Sequence, residues 1–499
     1  MQITKKPISV LETIALGYLF IPIFVFMLSW IKLWISIPLV ALILIVLCKT
    51  LFDKKSAEND LGIRITPQLI IYSVICFVLV LLLSYFIGEG GFTPQPFDSI
   101  KHNYILKDLI DNSWPVRYEL QGEKGVLCYY IAGYLMPALF GKLTSSFDSA
   151  SAFSAVWHSI GMFIAILVLY KSLGAKKKPA YLLLIFLVIM LFAPFNALMQ
   201  FLYMFIYPDR TVTALHFQWI SEDIYVQLSS NLTSLRYVFP QFVPSLIVIA
   251  LLFRYRKRYD MWALLVSPLL SFSVFAFVGT AGLMMLLFLF DMIKDKNAKS
   301  SLRSIISLEN ISGVISAVIF LLYLAGNIMQ TKPSGAEISL KLVDYSELPL
   351  VLLLHEIAWG LWLIFLFKTN KKEPLLWAVS ICLFIFPFLE FGHYNDLCIR
   401  GSMPALISMC YLLAKELTAR FSSDKKRLIP IAAIFIALLL SGGFSVLEEM
   451  HLPLNKSILS QEYYWDEYNN SLEFYTEYEW TKYQYINWEE NSLSNFILQ

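Results

Sequence analysis

The sequence predicts an all-α polytopic membrane protein with about thirteen transmembrane helices. Three observations carry that expectation. Hydrophobic residues make up 58% of the chain against 15% charged, too little polar material to coat a water-soluble body of 499 residues. Apolar runs of the length needed to cross hydrocarbon as helix recur along it. Lys and Arg gather in clusters between those runs, as the positive-inside bias leads one to expect. With a formal net charge of +2 and no basic stripe, a nucleic-acid surface is excluded.

Taken in order, the candidate spans are 9–30, 31–52, 68–88, 150–173, 180–205, 241–255, 260–275, 276–293, 304–326, 347–368, 374–391, 401–419 and 428–447. Lys5 and Lys6 precede an apolar run too long for a signal-peptide core, so the first helix is expected to remain as an anchor. Basic clusters follow at Lys54, Lys55 and Arg64, at Lys176 to Lys178, and at Arg254 to Arg258. Others lie at Lys294 to Arg303, at Lys368 to Lys372, and at Lys425 to Arg427. They share one side if the amino terminus is cytoplasmic, the carboxyl terminus is outside, and 125–143 does not cross. Residues 125–143 are therefore expected as a re-entrant or interfacial helix. Residues 260–293, broken by Pro268, Gly279 and Gly282 and basic at both flanks, read as a pair of short or re-entrant helices.

Three regions result: a hairpin with its cytoplasmic loop (1–67), a transmembrane body (68–447), and an outer tail (448–499). The body carries outer loops at 89–149, 206–240, 327–346 and 391–400, and polar, non-basic residues collect there. The first loop reads EGGFTPQPFDSIKHNYILKDLIDNSWPVRY from Glu89. A helix starting near Phe97 sets Asp98 with His102, and Asn103 with Lys107, on shared faces. It turns Ile100, Tyr104, Ile105 and Leu109 elsewhere, the pattern of an amphipathic helix lying on a membrane surface. Trp114-Pro115 closes the segment.

Four constellations bear chemistry. Asp98 outside a span suits a general base, with His102 and Lys101 beside it to orient it or hold phosphate; the plainer reading is an N-cap on a solvated helix. Arg400, followed by Gly401-Ser402 at the start of a span, suits a phosphate site with open backbone N–H groups, and Asn395 and Asp396 suit a sugar hydroxyl. The plainer reading is an Arg reaching the interface beside an Asn-Asp turn. His158, His355 and Glu356 lie within spans, where ionisable groups face a cavity or a partner. The tail alternates Tyr and Trp with Glu and Asn, which suits either sugar rings or an interfacial belt or lid. The six cysteines make no CxxC spacing, and a disulfide between Cys128 and Cys398 stays open. No cofactor is required; a divalent metal is compatible with an Asp–His pair but not demanded.

FDSIKHNYILKDLIDNSWPV, together with NDLCIRGSMPAL, resembles bacterial polytopic membrane proteins of the GT-C glycosyltransferase type over roughly 68–420. The resemblance implies a cell-envelope enzyme of the bacterial cytoplasmic (inner) membrane. Such an enzyme moves a sugar from a polyprenyl-phosphate-linked donor to a lipid or glycan acceptor at the outer face, among membrane lipids and without nucleic acid. It maps the catalytic base onto Asp98, with Lys101, His102, Asn103, Glu356, Asn395, Asp396 and Arg400 expected around the substrate. The chain departs from the wider superfamily in the hairpin 9–52 ahead of the motif and in its single Asp. A polymerase or ligase of lipid-linked glycans, and a lipid-linked substrate transporter or flippase, remain alternatives.

Overall fold

The computed structural model describes residues 9–51, 65–173, 178–210, 217–224, 226–294, 298–329, 339–392, 395–423, 428–450, 461–465, 468, 470–477, 479–488 and 496–499. The chain opens with α1 (Val10–Trp30), α2 (Leu33–Leu51) and α3 (Pro67–Phe86). The long loop after α3 supplies α4 (Ser99–Asp111), β1 (Arg117–Leu120), β2 (Glu123–Leu127) and α5 (Ala132–Thr144). Next come α6 (Phe147–Ser172), α7 (Tyr181–Leu191), α8 (Asn196–Ile206) and α9 (Asn231–Arg254). Then follow α10 (Trp262–Val266), α11 (Leu269–Phe272), α12 (Val274–Lys294), α13 (Ala298–Ile305) and α14 (Leu308–Met329). The last third holds β3 (Lys341–Leu342), α15 (Pro349–Gly360), α16 (Leu363–Asn370), α17 (Pro374–Ile385), β4 (Leu389–Glu390), α18 (Asp396–Gly401), α19 (Met403–Phe421) and α20 (Leu428–Met450). The tail adds α21 (Ser471–Thr476), α22 (Glu479–Tyr485) and β5 (Ile486–Asn487).

Among the described residues nine helices are long and apolar enough to cross a membrane, and ten if α15 and α16, bent by 53°, form one span. The chain is thus a helical polytopic membrane protein. Three expected spans appear as shorter apolar helices, Leu33–Lys49, Tyr259–Phe272 and Pro374–Phe388. Proline accounts for two of these: Pro268 separates α10 from α11, and Pro387 tightens the end of α17 into a 3₁₀ turn. Side-chain caps fix several boundaries. Thr66 accepts from the Leu69 N–H at 3.1 Å, and Ser230 from the Thr233 N–H at 2.9 Å. The cap at Ser230 starts α9 ten residues before the expected 241, which shortens the loop expected over 206–240.

The two ends of the bundle differ in chemistry. At one end the Glu12 carboxylate in α1 pairs with Lys171 of α6 at 2.9 Å and with Arg254 of α9 at 3.0 Å, Glu12 being fully buried. Nearby, Arg256 reaches Glu373 at 2.5 Å and Asp291 at 3.3 Å, and the Tyr259 hydroxyl donates to Asp291 at 2.9 Å. The segment 259–294 therefore leaves from and returns to the same basic end, as its two basic flanks suggested. The Lys54, Lys55, Arg64, Lys176, Lys177 and Lys425 to Arg427 clusters lie outside the described residues.

The opposite end corrects three expectations. It is not purely helical: β1 and β2 form an antiparallel hairpin, and β5 from the tail adds to β2, pairing Val126 with Asn487 and Leu127 with Ile486. Residues 125–143 are not one helix, since β2 runs to Leu127 and α5 begins only at Ala132. Nor is α4 a surface helix. Both its faces are buried, Lys101, His102, Asn103 and Asp108 as well as Ile100 and Leu109. The tail is the reason: the Asn103 amide donates to the Tyr464 carbonyl at 3.0 Å, and the Tyr104 hydroxyl lies 3.1 Å from the Trp465 and Tyr468 carbonyls. The tail then reaches α1, where the Lys32 N–H donates to the Ile497 carbonyl and Gln499 N–H to that of Trp30, both at 2.8 Å.

Removing Glu12 would leave two cations in a dry site without their shared counter-ion. Glu12→Gln is expected to lower stability by about 3–5 kcal/mol, and Lys171→Met in the same chain to restore part of it. Thermal unfolding in detergent measures both.

Candidate functional site

The site begins where Pro94-Gln95-Pro96 ends and α4 starts. The Ser99 N–H donates to the Pro96 carbonyl at 2.9 Å, closing a turn that presents Asp98 at the N-cap position. The Asp98 side chain makes no capping bond. Its Oδ2 instead takes the Lys101 ammonium at 2.5 Å, the Lys being nearly buried and the Asp 34% exposed. Burial pushes the Asp98 carboxyl up, but Lys101, with Arg400 behind it, outweighs burial and holds it below its usual value. Asp98 is therefore an anion at neutral pH, oriented by its cation.

His102 is committed elsewhere. Its Nε2 lies 2.8 Å from the Tyr237 carbonyl and its Nδ1 2.5 Å from the Tyr134 hydroxyl. A carbonyl can only accept, so Nε2 carries the proton and Nδ1 accepts from Tyr134. Burial, then the neighbouring Lys101, pushes its pKa down to about 3. His102 is a neutral tie between α4, α5 and α9 rather than a partner bonded to Asp98. Asn103 donates to Gln95 Oε1 at 2.7 Å as well as to the tail, and Lys107 pairs with Asp111 at 3.1 Å, not with Asn103.

Arg400 supplies the other half. Its Nη1 donates to the Tyr130 hydroxyl at 2.8 Å and its Nη2 meets Asp396 Oδ1 at 3.2 Å, while Nε has no partner among the described residues and the residue is 7% exposed. Asn395 sits in the left-handed region (φ 56°, ψ 53°) and its side chain caps α18, accepting from Cys398 N–H at 3.3 Å. The open N–H groups expected at Gly401-Ser402 are absent in part. Helix runs through from Asp396, and the Ser402 N–H donates to the Cys398 carbonyl at 3.3 Å. Gly279 of α12 lies against the Gly401 backbone so closely that any Cβ there would collide with it.

Buried tyrosines pack beside Arg400. Tyr129 donates to Tyr130 at 2.6 Å, and the ring of Tyr485 from the tail lies 5.1 Å from that of Tyr129. Burial pushes the phenols of Tyr129, Tyr134 and Tyr485 up, and each also feels the Arg400 charge. Tyr134 and Tyr485 lie close enough to both Asp98 and Arg400 to feel each charge. Glu356 stands apart: its Oε2 accepts from Trp359 Nε1 of its own helix at 2.9 Å, half-buried, with no bond to this cluster.

Sequence reasoning missed Glu89 and the tyrosines. Glu89, buried just past α3, takes His158 Nδ1 at 2.5 Å and the hydroxyls of Ser84 at 2.9 Å and Ser154 at 3.1 Å. Its signal was present: a carboxylate ending an apolar run, with His158 already singled out within another. A cavity of about 20 Å³ between Glu89, His102 and Tyr134 has room for one water. His216, Glu337 and His393 lie outside the described residues. Among the described residues no three His, Cys, Asp or Glu side chains gather as a metal site, and all six cysteines are free. No family model, no curated protein and no solved structure matches the chain.

His102 makes stability pH-dependent with a defined sign. The folded chain keeps it neutral down to about 3, against an ordinary 6.5. The stability it contributes is complete above 6.5 and is lost as pH falls toward 3, up to about 5 kcal/mol at roughly 1.4 kcal/mol per unit. Melting in detergent from pH 7 to 4 should fall more steeply for the native chain than for His102→Gln. Parallel curves would contradict the assignment.

Proposed function

We propose that this chain is a GT-C-type membrane glycosyltransferase, moving a sugar from a polyprenyl-phosphate-type donor to an acceptor at the outer face of a bacterial cytoplasmic membrane. The observation that carries the reading is a partly exposed carboxylate, Asp98, paired with Lys101 at the start of α4, and a buried guanidinium, Arg400, whose partner Tyr130 lies four residues before the Tyr134 that bonds His102. The nine long helices and the bent pair support a many-span body, and counting the three shorter apolar helices as crossings gives the thirteen of this reading. With the Glu12–Lys171–Arg254 end in the cytoplasm, the amino terminus lies inside, and the site and tail lie outside.

The chemistry is a single displacement. The acceptor hydroxyl oxygen bonds to the anomeric carbon as the bond from that carbon to the phosphate oxygen breaks, and the acceptor proton passes to Asp98. A carboxylate held below its usual pKa is a weak base, so it takes the proton late, when the attacking oxygen has become acidic through bond formation. Lys101 keeps it ionised and aimed. Arg400, with one guanidinium nitrogen unpartnered, receives the phosphate leaving group. Asp396 and Tyr130 hold the guanidinium plane, and Asn395 holds the turn that carries Asp396. Tyr129 and Tyr485 offer ring faces to the sugar.

In a strain whose envelope glycan depends on this chain, Asp98→Asn should reduce product by about 10²–10⁴-fold while the protein persists in the membrane. Undiminished product would end this reading. Arg400→Lys, which keeps charge but loses the fork, should fall between the two. Single-sugar products missing from the Asp98→Asn strain support a transferase; loss confined to long chains would point to a polymerase.

A further inference from the structure

The basic end of the bundle carries a second feature that the site at the other end does not use. A groove of about 520 Å³ opens between α10, α12 and α14, lined by Trp262, Val266, Met284, Phe288, Ile306 and Ile315 among others. That volume is in the range of small-molecule sites. Its floor is built rather than incidental. The Asn310 side chain accepts from the Ala263 N–H at 2.8 Å and donates to the Tyr259 carbonyl at 2.7 Å and the Ile305 carbonyl at 2.8 Å. Ser307 donates to the Asp260 carbonyl at 2.6 Å. These bonds fix the start of α14 against α10, so the groove keeps its shape without an occupant's help.

Two observations identify what it takes. The first is the indole of Trp262, a lining residue that is 8% exposed and whose Nε1–H has no partner among the described residues. A buried donor left open is costly, and a ligand oxygen near the apolar wall would satisfy it. The second is charge and amphipathicity in the stretch of sequence that leads into α14. The sequence from Lys294 to Arg303 carries Lys294, Lys296, Lys299 and Arg303 against one acid, Asp295. Helix α13, in that stretch, puts Ala298, Leu302 and Ile305 at helical spacing, and Leu302, Ile305 and the following Ile306 are exposed apolar residues. A basic helix with an exposed apolar stripe lies in a bilayer interface and attracts anionic headgroups. Arg303, exposed at its last turn, stands two residues before the groove wall begins at Ile305.

We propose that this groove binds one anionic phospholipid, its acyl chain lying between α10, α12 and α14 and its phosphate held by α13. The ester region then lies level with Trp262 and takes the indole proton, while Arg303 faces the phosphate. The occupant is a resident lipid of the basic side, separate from any donor lipid at the Asp98–Arg400 end.

The test uses the full chain in vesicles of phosphatidylcholine, with bromine-labelled chains on either phosphatidylglycerol or phosphatidylcholine at equal mole fraction. The part of the tryptophan fluorescence lost in Trp262→Phe reports the groove. It should be quenched at lower mole fraction by the brominated phosphatidylglycerol. Arg303→Gln, on the surface and not needed for folding, should weaken that preference about fivefold, the effect of one charge near an anionic headgroup. Ala281→Phe, which fills the groove, should remove the quenching while melting as the native chain does. Equal quenching by the two lipids means ordinary boundary lipid and overturns the proposal. Selectivity that survives Ala281→Phe overturns it too.

Discussion

Hydrocarbon cannot solvate a charge or a free backbone group, and that constraint decides where this chain keeps its polar chemistry. Glu12 answers two cations from two other helices with one carboxylate. The result is a clamp on α1, α6 and α9 that cannot slide without stranding a charge. With that end pinned, the rest of the closure falls to the other, where the long loop and the tail lie and bond to each other.

At the finished end the same rule produces a site. Arg400 is too deep to be satisfied by water, so Asp396 and Tyr130 serve two of its nitrogens and leave the third open. Asp98 is shallow enough to stay partly exposed yet close enough to feel that charge. Packing against Gly279 keeps the Arg400 helix where it is, because no side chain separates α12 from the Gly401 backbone. Charge, depth and a missing Cβ together set the geometry on which the proposed transfer depends.

Much of this was legible in residue order and some was not. The apolar runs were readable because lipid imposes one length scale on every crossing helix. The start of α4 was readable because the prolines before Phe97 permit little else. Partner choice was not: Asp98 took Lys101, three residues on, rather than His102, four residues on, since His102 was claimed by Tyr134 and Tyr237 from distant helices. Tyr129, Tyr130 and Tyr485 carry no local pattern, and only tertiary packing gives them meaning. The burial of α4 was hidden for the same reason. Its polar face looks solvated until a tail more than 350 residues away, by the Asn103–Tyr464 bond, is laid across it.

That tail sets an order of events. Every long apolar helix among the described residues precedes residue 461 in the chain, so each can enter the membrane during synthesis before the third strand of the outer sheet exists. Tyr485 and the cover over α4 arrive afterwards. Insertion and site assembly are therefore separate in time. For an interval set by translation, the chain is a bundle whose α4 has yet to receive its cover.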